Sequence, residues 1–163
     1  RKRGMSVPRT QTNVLPASRC RSLVLPDGIQ RAIAESIEAS HPDEAGGYLA
    51  CDRRGNRLFA VDHVPLENES ETPRTRFVST ATSVPDRPRV FYHSHTSSSS
   101  QSGLTSVDRS NIPDRYALVV FAPHGEPFSY RFFRRGVFNW REVPVRAPVD
   151  GQLDEMERLP RLI

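Results

Sequence analysis

The sequence predicts a single α+β domain, in which a mostly antiparallel, mixed β-sheet is flanked by helices. Three features indicate this fold class: one amphipathic helical stretch, several short apolar runs bounded by turn residues, and a near-continuous apolar run at Tyr116–Phe121. The length of 163 residues favours one domain. A chain of this size buries about two-thirds of its unfolded surface, so it needs no disulfide bonds to fold.

The two ends of the chain differ in composition from the middle. Residues 1–21 are polar and arginine-rich and contain Pro8 and Pro16, so we expect a flexible basic arm. Residues 22–142 form the predicted domain. The tail of residues 143–163 mixes prolines, acidic residues and apolar residues, and its pattern predicts no particular structure.

A helix is predicted from Pro26-Asp27 to about Ser40. Its apolar residues recur at three- and four-residue spacings and define one buried face: Ile29, Ala32, Ile33 and Ile37. The pair His41-Pro42 should end this helix, because a proline disfavours helical backbone in the residue before it.

Short apolar runs predict the strands. They lie at residues 47–51, 57–64, 76–79, 89–92, 116–121, 128–133 and 137–140, with a turn at 52–56 between the first two. Tyr116–Phe121 is apolar at every position, which is typical of a central strand buried on both faces. A polar, acidic loop is predicted at residues 65–75, a mobile serine-rich segment at 96–103, and a short helix at 106–111.

Charge and cysteine content argue against several classes of function. The net charge is +4, part of it in the N-terminal arm, and basic and aromatic residues do not alternate as in single-strand binders. A nucleic-acid-binding module is therefore a third choice. Cys20 and Cys51 form no CxxC pair, which argues against a thiolate zinc site or a disulfide framework. No apolar run has the length of a membrane helix or signal peptide, so we expect a cytoplasmic protein.

His93-Ser94-His95, at the end of a predicted strand, is the strongest chemical signal. Residues i and i+2 of a strand point to the same face, so both imidazoles should project together. Neutral imidazole is a common metal ligand, and a catalytic zinc needs three protein ligands and one open position. Asp108, thirteen residues beyond His95, is a suitable third ligand if the serine-rich segment folds back.

Other interpretations remain open from these residues alone. A His-x-His pair can be a surface accident. Thr105 and Asp108 have the spacing of a helix capping box, which needs no metal. Glu44 can be a solvated loop carboxylate. The remaining histidines, His41, His63 and His124, are expected to be structural or solvated.

Three segments together resemble the JAMM (MPN-type) zinc metalloproteases. They are Glu44 before a glycine-containing apolar strand, the run Tyr92-His93-Ser94-His95-Thr96, and Thr105-x-x-Asp108. The segment from His41 to Gly47 is similar to the glutamate segment of that family, and the resemblance covers about residues 23–140. It implies a JAMM/MPN-like, cytidine-deaminase-like layout. It also implies Zn²⁺ bound by His93, His95 and Asp108, with Glu44 activating the zinc-bound water.

The segment between the second histidine and the helix departs from the family pattern. Nine residues separate His95 from Thr105, where relatives usually have seven, and Thr105 stands where serine is usual. A threonine hydroxyl can still donate to a developing oxyanion, so the resemblance implies this role for Thr105. Ser106 is the alternative if the longer loop shifts the register.

The resemblance implies a substrate as well as a reaction. It is greatest to small bacterial members that act on ubiquitin-like or sulfur-carrier proteins, and it implies hydrolysis of the (iso)peptide bond after a Gly-Gly tail. The product would be a trimmed carrier or a released amino acid. A homodimer is compatible with this interpretation. The alternative is a non-catalytic MPN-type scaffold that binds partners through the same fold.

Overall fold

The computed structural model of the protein describes residues 20–80 and 83–148. Nearly all of the predicted N-terminal arm and the end of the predicted tail lie outside these residues. The elements in chain order are β1 (Ser22–Val24), α1 (Asp27–Ser40), β2 (Gly46–Arg54), β3 (Arg57–Leu66), β4 (Arg89–His95), α2 (Ser106–Asn111), β5 (Tyr116–Phe121), β6 (Ser129–Arg135), β7 (Trp140–Val143) and β8 (Val145–Arg146).

Within the described residues the strands form one mixed sheet in the order β7-β6-β5-β4-β2-β3-β1-β8. Adjacent strands are antiparallel from β7 to β5 and from β4 through β2 to β3. The pairs β4–β5, β3–β1 and β1–β8 are parallel. The predicted α+β class with a mostly antiparallel, mixed sheet is confirmed.

Helix α1 covers one face of the sheet with the side predicted from its spacing. Ile33 and Ile37 are fully buried, and Ile29 packs against the same core. This core includes Val90 and Tyr92 of β4 and Leu118 and Val120 of β5. Each fully buried aliphatic side chain contributes about 1.5–3 kcal/mol, so the face toward α1 supplies much of the fold's stability.

The opposite face of the sheet has a smaller core. It contains Leu104 and Ile112, which flank α2, together with Ala117, Val119 and Phe133 from β5 and β6. Every residue of β5 except Phe121 is buried, so the strand is covered on both faces, as its apolar run predicts. Strand β4 lies between β2 and β5, and its carboxyl end opens toward the α2 side.

The structure differs from the sequence-based expectations first at the turn between β2 and β3 and at residues 76–79. β2 and β3 pair as far as Arg54 and Arg57, so their turn narrows to Gly55-Asn56, with Gly55 at a φ of 62°. Residues 76–79 form no strand, because Arg76 and Val78 bond to the side chain of one asparagine instead of a strand ladder.

The predicted strand at 137–140 is also wrong, since Val137 and Phe138 lie exposed in the turn and the strand begins at Trp140. Strands β1 and β8 were not predicted. β8 falls within the segment taken as the tail and pairs with β1, where the Leu23 and Leu25 N–H groups donate to Pro144 and Arg146. No helix in the described part of the chain is long and apolar enough to cross a membrane.

Candidate metal centre

Strand β4 places two histidines on the face of the sheet that carries α2. Phe91, His93 and His95 alternate with Tyr92 and Ser94, and the alternation sends the imidazoles away from the α1 core. Both histidines are buried, with 3% and 4% of their surface exposed. The predicted projection of the two rings to one side is observed: their Nε2 atoms are 3.1 Å apart.

Asp108, in the first turn of α2, meets both histidines. Its Oδ1 lies 3.2 Å from His93 Nε2, and its Oδ2 lies 3.3 Å from His95 Nε2. One donor atom from each of the three residues falls within 4.8 Å of the others. The serine-rich segment therefore does fold back, and the predicted trio is brought together.

The capping box considered as an alternative explanation for Asp108 is present as well. Thr105 Oγ1 accepts from the Asp108 N–H at 3.1 Å, and Asp108 Oδ2 accepts from the Thr105 N–H at 2.9 Å. The two interpretations are therefore compatible, because the cap orients the carboxylate that faces the histidines. Thr105 borders the adjoining groove, whereas Ser106 is exposed and does not line it.

The hydrogen bond of His95 identifies the atom that faces Asp108. Its Nδ1 lies 2.6 Å from the Gln101 carbonyl oxygen, which can only accept, so Nδ1 donates and Nε2 carries the free lone pair in the neutral ring. This lone pair points at an acceptor, the Asp108 carboxylate. Two facing acceptors require a proton or a cation between them. Two imidazoles and a carboxylate are typical zinc ligands, so the donor set fits a metal ion.

The ionisation equilibria in this cluster follow from the same contacts. Burial opposes charge on Asp108, but the hydrogen bonds from His93 and His95 outweigh it and hold the pKa of this carboxyl well below its usual range. Burial also disfavours charged His95, yet its bonds to Asp108 and Gln101 raise the pKa of this imidazole overall. Both shifts favour placing a positive charge between the two side chains.

The two histidine rings are held differently. His95 is anchored by Gln101, a backbone acceptor that sequence patterns do not identify. The His93 Nδ1 atom is buried and has no hydrogen-bond partner among the described residues. Its ring instead stacks on Phe91, with centroids 5.6 Å apart and planes 24° apart. Packing therefore orients His93.

Glu44 lies just before β2 and is 5% exposed. The backbone beside Glu44 is attached to β4 through Ser94, the middle residue of the His-x-His motif. The Ala45 N–H donates to Ser94 Oγ, and the Ser94 N–H donates to the Ala45 carbonyl, both at 2.8 Å. Thr96 adds a bond from its hydroxyl to the Pro42 carbonyl at 2.8 Å. The motif thus carries the histidines on one face and holds the glutamate segment with its middle residue.

Glu44 is a buried carboxyl with an altered proton affinity. Burial raises its pKa to about 8, and the nearby Asp108 adds to the effect against an opposing influence of His95. Glu44, His93, His95, Thr105 and Asp108 all line one groove of about 740 Å³. All five sequence-predicted site residues therefore border one groove, in which a carboxyl with a pKa near neutrality can exchange protons with a bound water.

The other histidines do not join this group. His63 shares a 2.7 Å hydrogen bond with the Tyr92 hydroxyl, and His124 is exposed. His41 packs against Gly125. In the described part of the chain, only His93, His95 and Asp108 meet the geometric criterion for a metal site.

Comparisons with known proteins agree with the resemblance predicted from the motifs. No family model matches the chain. The chain is 27% identical over 137 residues to proteins named CysO-cysteine peptidase from Mycobacterium bovis and Mycobacterium tuberculosis, with 77% of this chain and 90% of the relative covered. The predicted resemblance to JAMM/MPN-type peptidases is thereby supported along most of the chain.

Two solved structures align with most of this chain. Protein DSY2949 from Desulfitobacterium hafniense aligns with a TM-score of 0.57 and 15% identity, covering 78% of this chain and 94% of that chain. AF2198, a JAB1/MPN domain protein from Archaeoglobus fulgidus, aligns with a TM-score of 0.47 and 18% identity, covering 78% and 97%. The similarity to DSY2949 supports the fold assignment alone.

Proposed function

We propose that this protein is a zinc metallopeptidase that hydrolyses the peptide or isopeptide bond after the Gly-Gly tail of a small ubiquitin-like or sulfur-carrier protein. The observation that carries the proposal is the convergence of His93, His95 and Asp108 beside the buried Glu44 in one groove. The similarity to CysO-cysteine peptidases supports the same reaction class.

His93 and His95, through Nε2, and Asp108, through its carboxylate, would hold the zinc. Three protein ligands leave one position open, as catalytic sites require. Zinc bound there would supply a Lewis acid for the scissile carbonyl and would lower the pKa of a bound water towards about 7. Gln101 holds His95 in the tautomer that presents Nε2, and the capping box orients Asp108.

Glu44 is the proposed general base. A carboxylate oxygen takes a proton from the attacking water and then delivers it to the nitrogen of the leaving amine, so no covalent intermediate is needed. General-base catalysis is most effective when the pKa of the base is near the working pH. In the metal-free protein burial raises the pKa of Glu44 to about 8. The charge of a bound zinc ion would lower it again and favour the carboxylate form that the base needs.

Thr105 is the proposed oxyanion donor. Its Oγ1 accepts from the Asp108 N–H, which leaves the hydroxyl proton free to donate toward the groove. Loss of one such donor typically costs about 10²–10³-fold in kcat.

The name of the relatives supports the proposed substrate. The name CysO-cysteine peptidase favours a carrier joined to cysteine as the substrate and the free amino acid as a product. A Gly-Gly tail could lie close to the groove wall, because glycine presents no side chain and adopts extended backbone freely. A cytoplasmic location, a homodimer and the absence of nucleic-acid binding remain predictions.

A carrier protein ending in Gly-Gly-Cys tests the proposal, with intact mass as the readout. We expect loss of the terminal residue from the folded carrier and weak cleavage of the isolated tail peptide. Residues 96–103, which border the site through Ser100 and Gln101, are predicted to be mobile in the free enzyme. Ordering them would cost about 1–2 kcal/mol per residue, which the further contacts of a folded carrier would offset. Equal specificity constants for carrier and peptide would reject the role of this loop but leave the peptidase assignment intact.

Glu44→Gln separates chemistry from metal binding. We expect about one zinc per chain to remain while the rate falls by about 10²-fold or more, the scale of losing a general base. His95→Ala is the matched control, in which zinc content and activity should both fall. A Glu44→Gln enzyme that keeps nearly full activity would contradict the proposed mechanism. Inactive wild-type protein that contains zinc and binds the carrier would favour the non-catalytic scaffold.

A further inference from the structure

Asn68, in the connection between β3 and β4, donates its side-chain amide to three backbone carbonyls. Nδ2 lies 3.0 Å from the Glu44 oxygen, 3.2 Å from the Pro73 oxygen and 3.0 Å from the Arg76 oxygen. An amide NH₂ has only two hydrogens, so at least one of them is shared. These partners are 24, 5 and 8 positions away along the chain, so a single side chain joins separate segments.

The other half of the Asn68 amide organises the same connection. Oδ1 accepts from the Ser70 N–H at 3.1 Å and from the Val78 N–H at 3.2 Å. Every partner of Nδ2 is an acceptor and both partners of Oδ1 are donors, so the opposite orientation of the amide would lose all five bonds. Asn68 is therefore the centre around which residues 68–78 fold.

The backbone of Glu44 is bound on both sides to this connection. Its N–H donates to the Pro73 carbonyl at 2.7 Å, and its carbonyl accepts from Asn68. Beyond Glu44, the next residue is held to β4 through Ser94. The position of the Glu44 side chain thus depends on the 68–78 connection on one side and on the metal-binding strand on the other.

The same connection supplies one wall of the groove, through Arg76, Phe77 and Val78. The Phe77 ring covers Gly46, where a Cβ would approach the ring to 2.8 Å, and lies 5.9 Å from the Phe91 ring. A chain lying in the groove would rest against this wall. Its contacts would bear on the segment that holds Glu44.

We infer that Asn68 is a positioning residue, which joins the backbone of Glu44 to the groove wall so that a substrate tail resting on the wall also holds the general base in place. The base role of Glu44 rests on the proposed function. The mechanical link between Glu44 and the groove wall does not depend on the proposed function. Experiments can therefore reject the link and the proposed function independently.

The first test measures the link without catalysis. Amide hydrogen exchange of metal-free protein is compared between wild type, Asn68→Ala and Thr80→Val. The control Thr80→Val removes an exposed bond in the same connection, from Thr80 Oγ1 to Glu69 Oε1 at 2.7 Å. We expect the Glu44 amide to exchange at least about tenfold faster in Asn68→Ala alone, because the acceptor of this amide, Pro73, loses its anchor. Unchanged exchange at Glu44 would overturn the inference.

The second test asks whether Asn68 acts through Glu44. In the wild-type background, Asn68→Ala should lower kcat by about tenfold or more with zinc content unchanged. In a Glu44→Gln background the same substitution should have little further effect, because residues that act as a unit are non-additive. A purely structural role would cost the same factor in both backgrounds, and that result would also reject the inference.

Two precautions keep the outcomes distinct. If Asn68→Ala fails to fold, Asn68→Asp replaces it, since the carboxylate keeps the acceptors for Ser70 and Val78 but loses the donors toward Glu44. If wild type cleaves no carrier, the proposed function fails, and the exchange measurement alone decides whether Asn68 holds Glu44.

Discussion

Glu44 shows how one buried side chain can make stability and function compete. Its carboxyl is nearly inaccessible and has no side-chain cation bonded to it among the described contacts, so burial raises its pKa from 4.5 to about 8. The protonated form is therefore favoured in the folded, metal-free protein. The favourable contribution of protonated Glu44 to folding stability is fully present below pH 4.5. It is lost as the pH rises towards 8, because the unfolded chain then releases the proton more readily than the folded protein.

Glu44→Gln should accordingly stabilise the metal-free protein at pH 8, because glutamine imitates the neutral acid. We expect a gain of a few kcal/mol, since one pKa unit corresponds to about 1.4 kcal/mol. The difference should vanish at pH 4.5 and below. Urea unfolding in chelator at both pH values measures it, with Glu38→Gln on the exposed side of α1 as the control. An equal gain at both pH values would contradict burial as the cause.

At the scale of elements, α2 matters because its first turn carries Asp108. The helix is only six residues long and has no buried residues of its own, so the capping box is a main source of its order. The same box fixes the carboxylate that faces the histidines. Helix stability and metal affinity should therefore change together.

Thr105→Val removes the hydroxyl while keeping the shape. We expect it to cost about 1 kcal/mol of stability, the usual effect of losing an N-cap. Zinc affinity should fall by about 10–100-fold, as for other groups that orient a ligand. Thr105→Ser should preserve both. Denaturant unfolding measures the stability, and chelator competition measures the zinc affinity. An unchanged zinc affinity in Thr105→Val would show that the capping box does not contribute to metal binding.

Gly47 determines how closely β2 and β3 approach. A Cβ at this position would lie 2.2 Å from the Val64 carbonyl oxygen and 2.9 Å from Pro65 Cα, so Gly47→Ala must push the backbone of β3 away. We expect a loss of about 1–3 kcal/mol or more. Gly28→Ala in α1 is the control: its nearest contact would be Arg31 at 4.0 Å, and it should gain about 0.5–1 kcal/mol. Thermal unfolding measures both effects. A Gly47→Ala variant with an unchanged Tm would show that β2 and β3 can move apart locally without loss of stability.

At the scale of the whole molecule, the proposed metal would join segments that are distant in sequence. His93 and His95 lie at the end of β4, and Asp108 follows a crossover from β4 that includes the serine-rich segment. A ligand that binds only the folded state stabilises it in proportion to the logarithm of its concentration relative to Kd. Metal removal should therefore be visible as a loss of global stability.

We expect chelation to lower the Tm by about 10 °C, because zinc at 1,000 times its Kd contributes about 4 kcal/mol and each kcal/mol shifts a domain of this size by about 2–4 °C. His95→Ala should melt at one temperature with or without chelator. Differential scanning calorimetry provides both values. A wild-type Tm that does not respond to chelator would argue against a metal bound by this trio.

The sequence by itself determined the features that depend on local spacing. The 3.6-residue period of Ile29, Ile33 and Ile37 predicts α1, and the apolar run of β5 predicts its burial on both faces. The two-residue period of a strand predicts that His93 and His95 point to the same side. These inferences succeed because the relevant atoms are near neighbours along the chain.

Only the tertiary structure decided what depends on the path of the chain between distant residues. From the residues alone, Asp108 was either a helix cap or a ligand candidate, and the fold shows that one carboxylate faces Thr105 and both histidines at once. Asn68 gave no signal, because its partners are backbone carbonyls, which every residue possesses. Strands β1 and β8 are too short to show periodicity, and residues 76–79 have strand-like composition but bond to Asn68. A side chain that bonds to backbone groups can pair with any segment, so the residue pattern does not show which segments Asn68 joins.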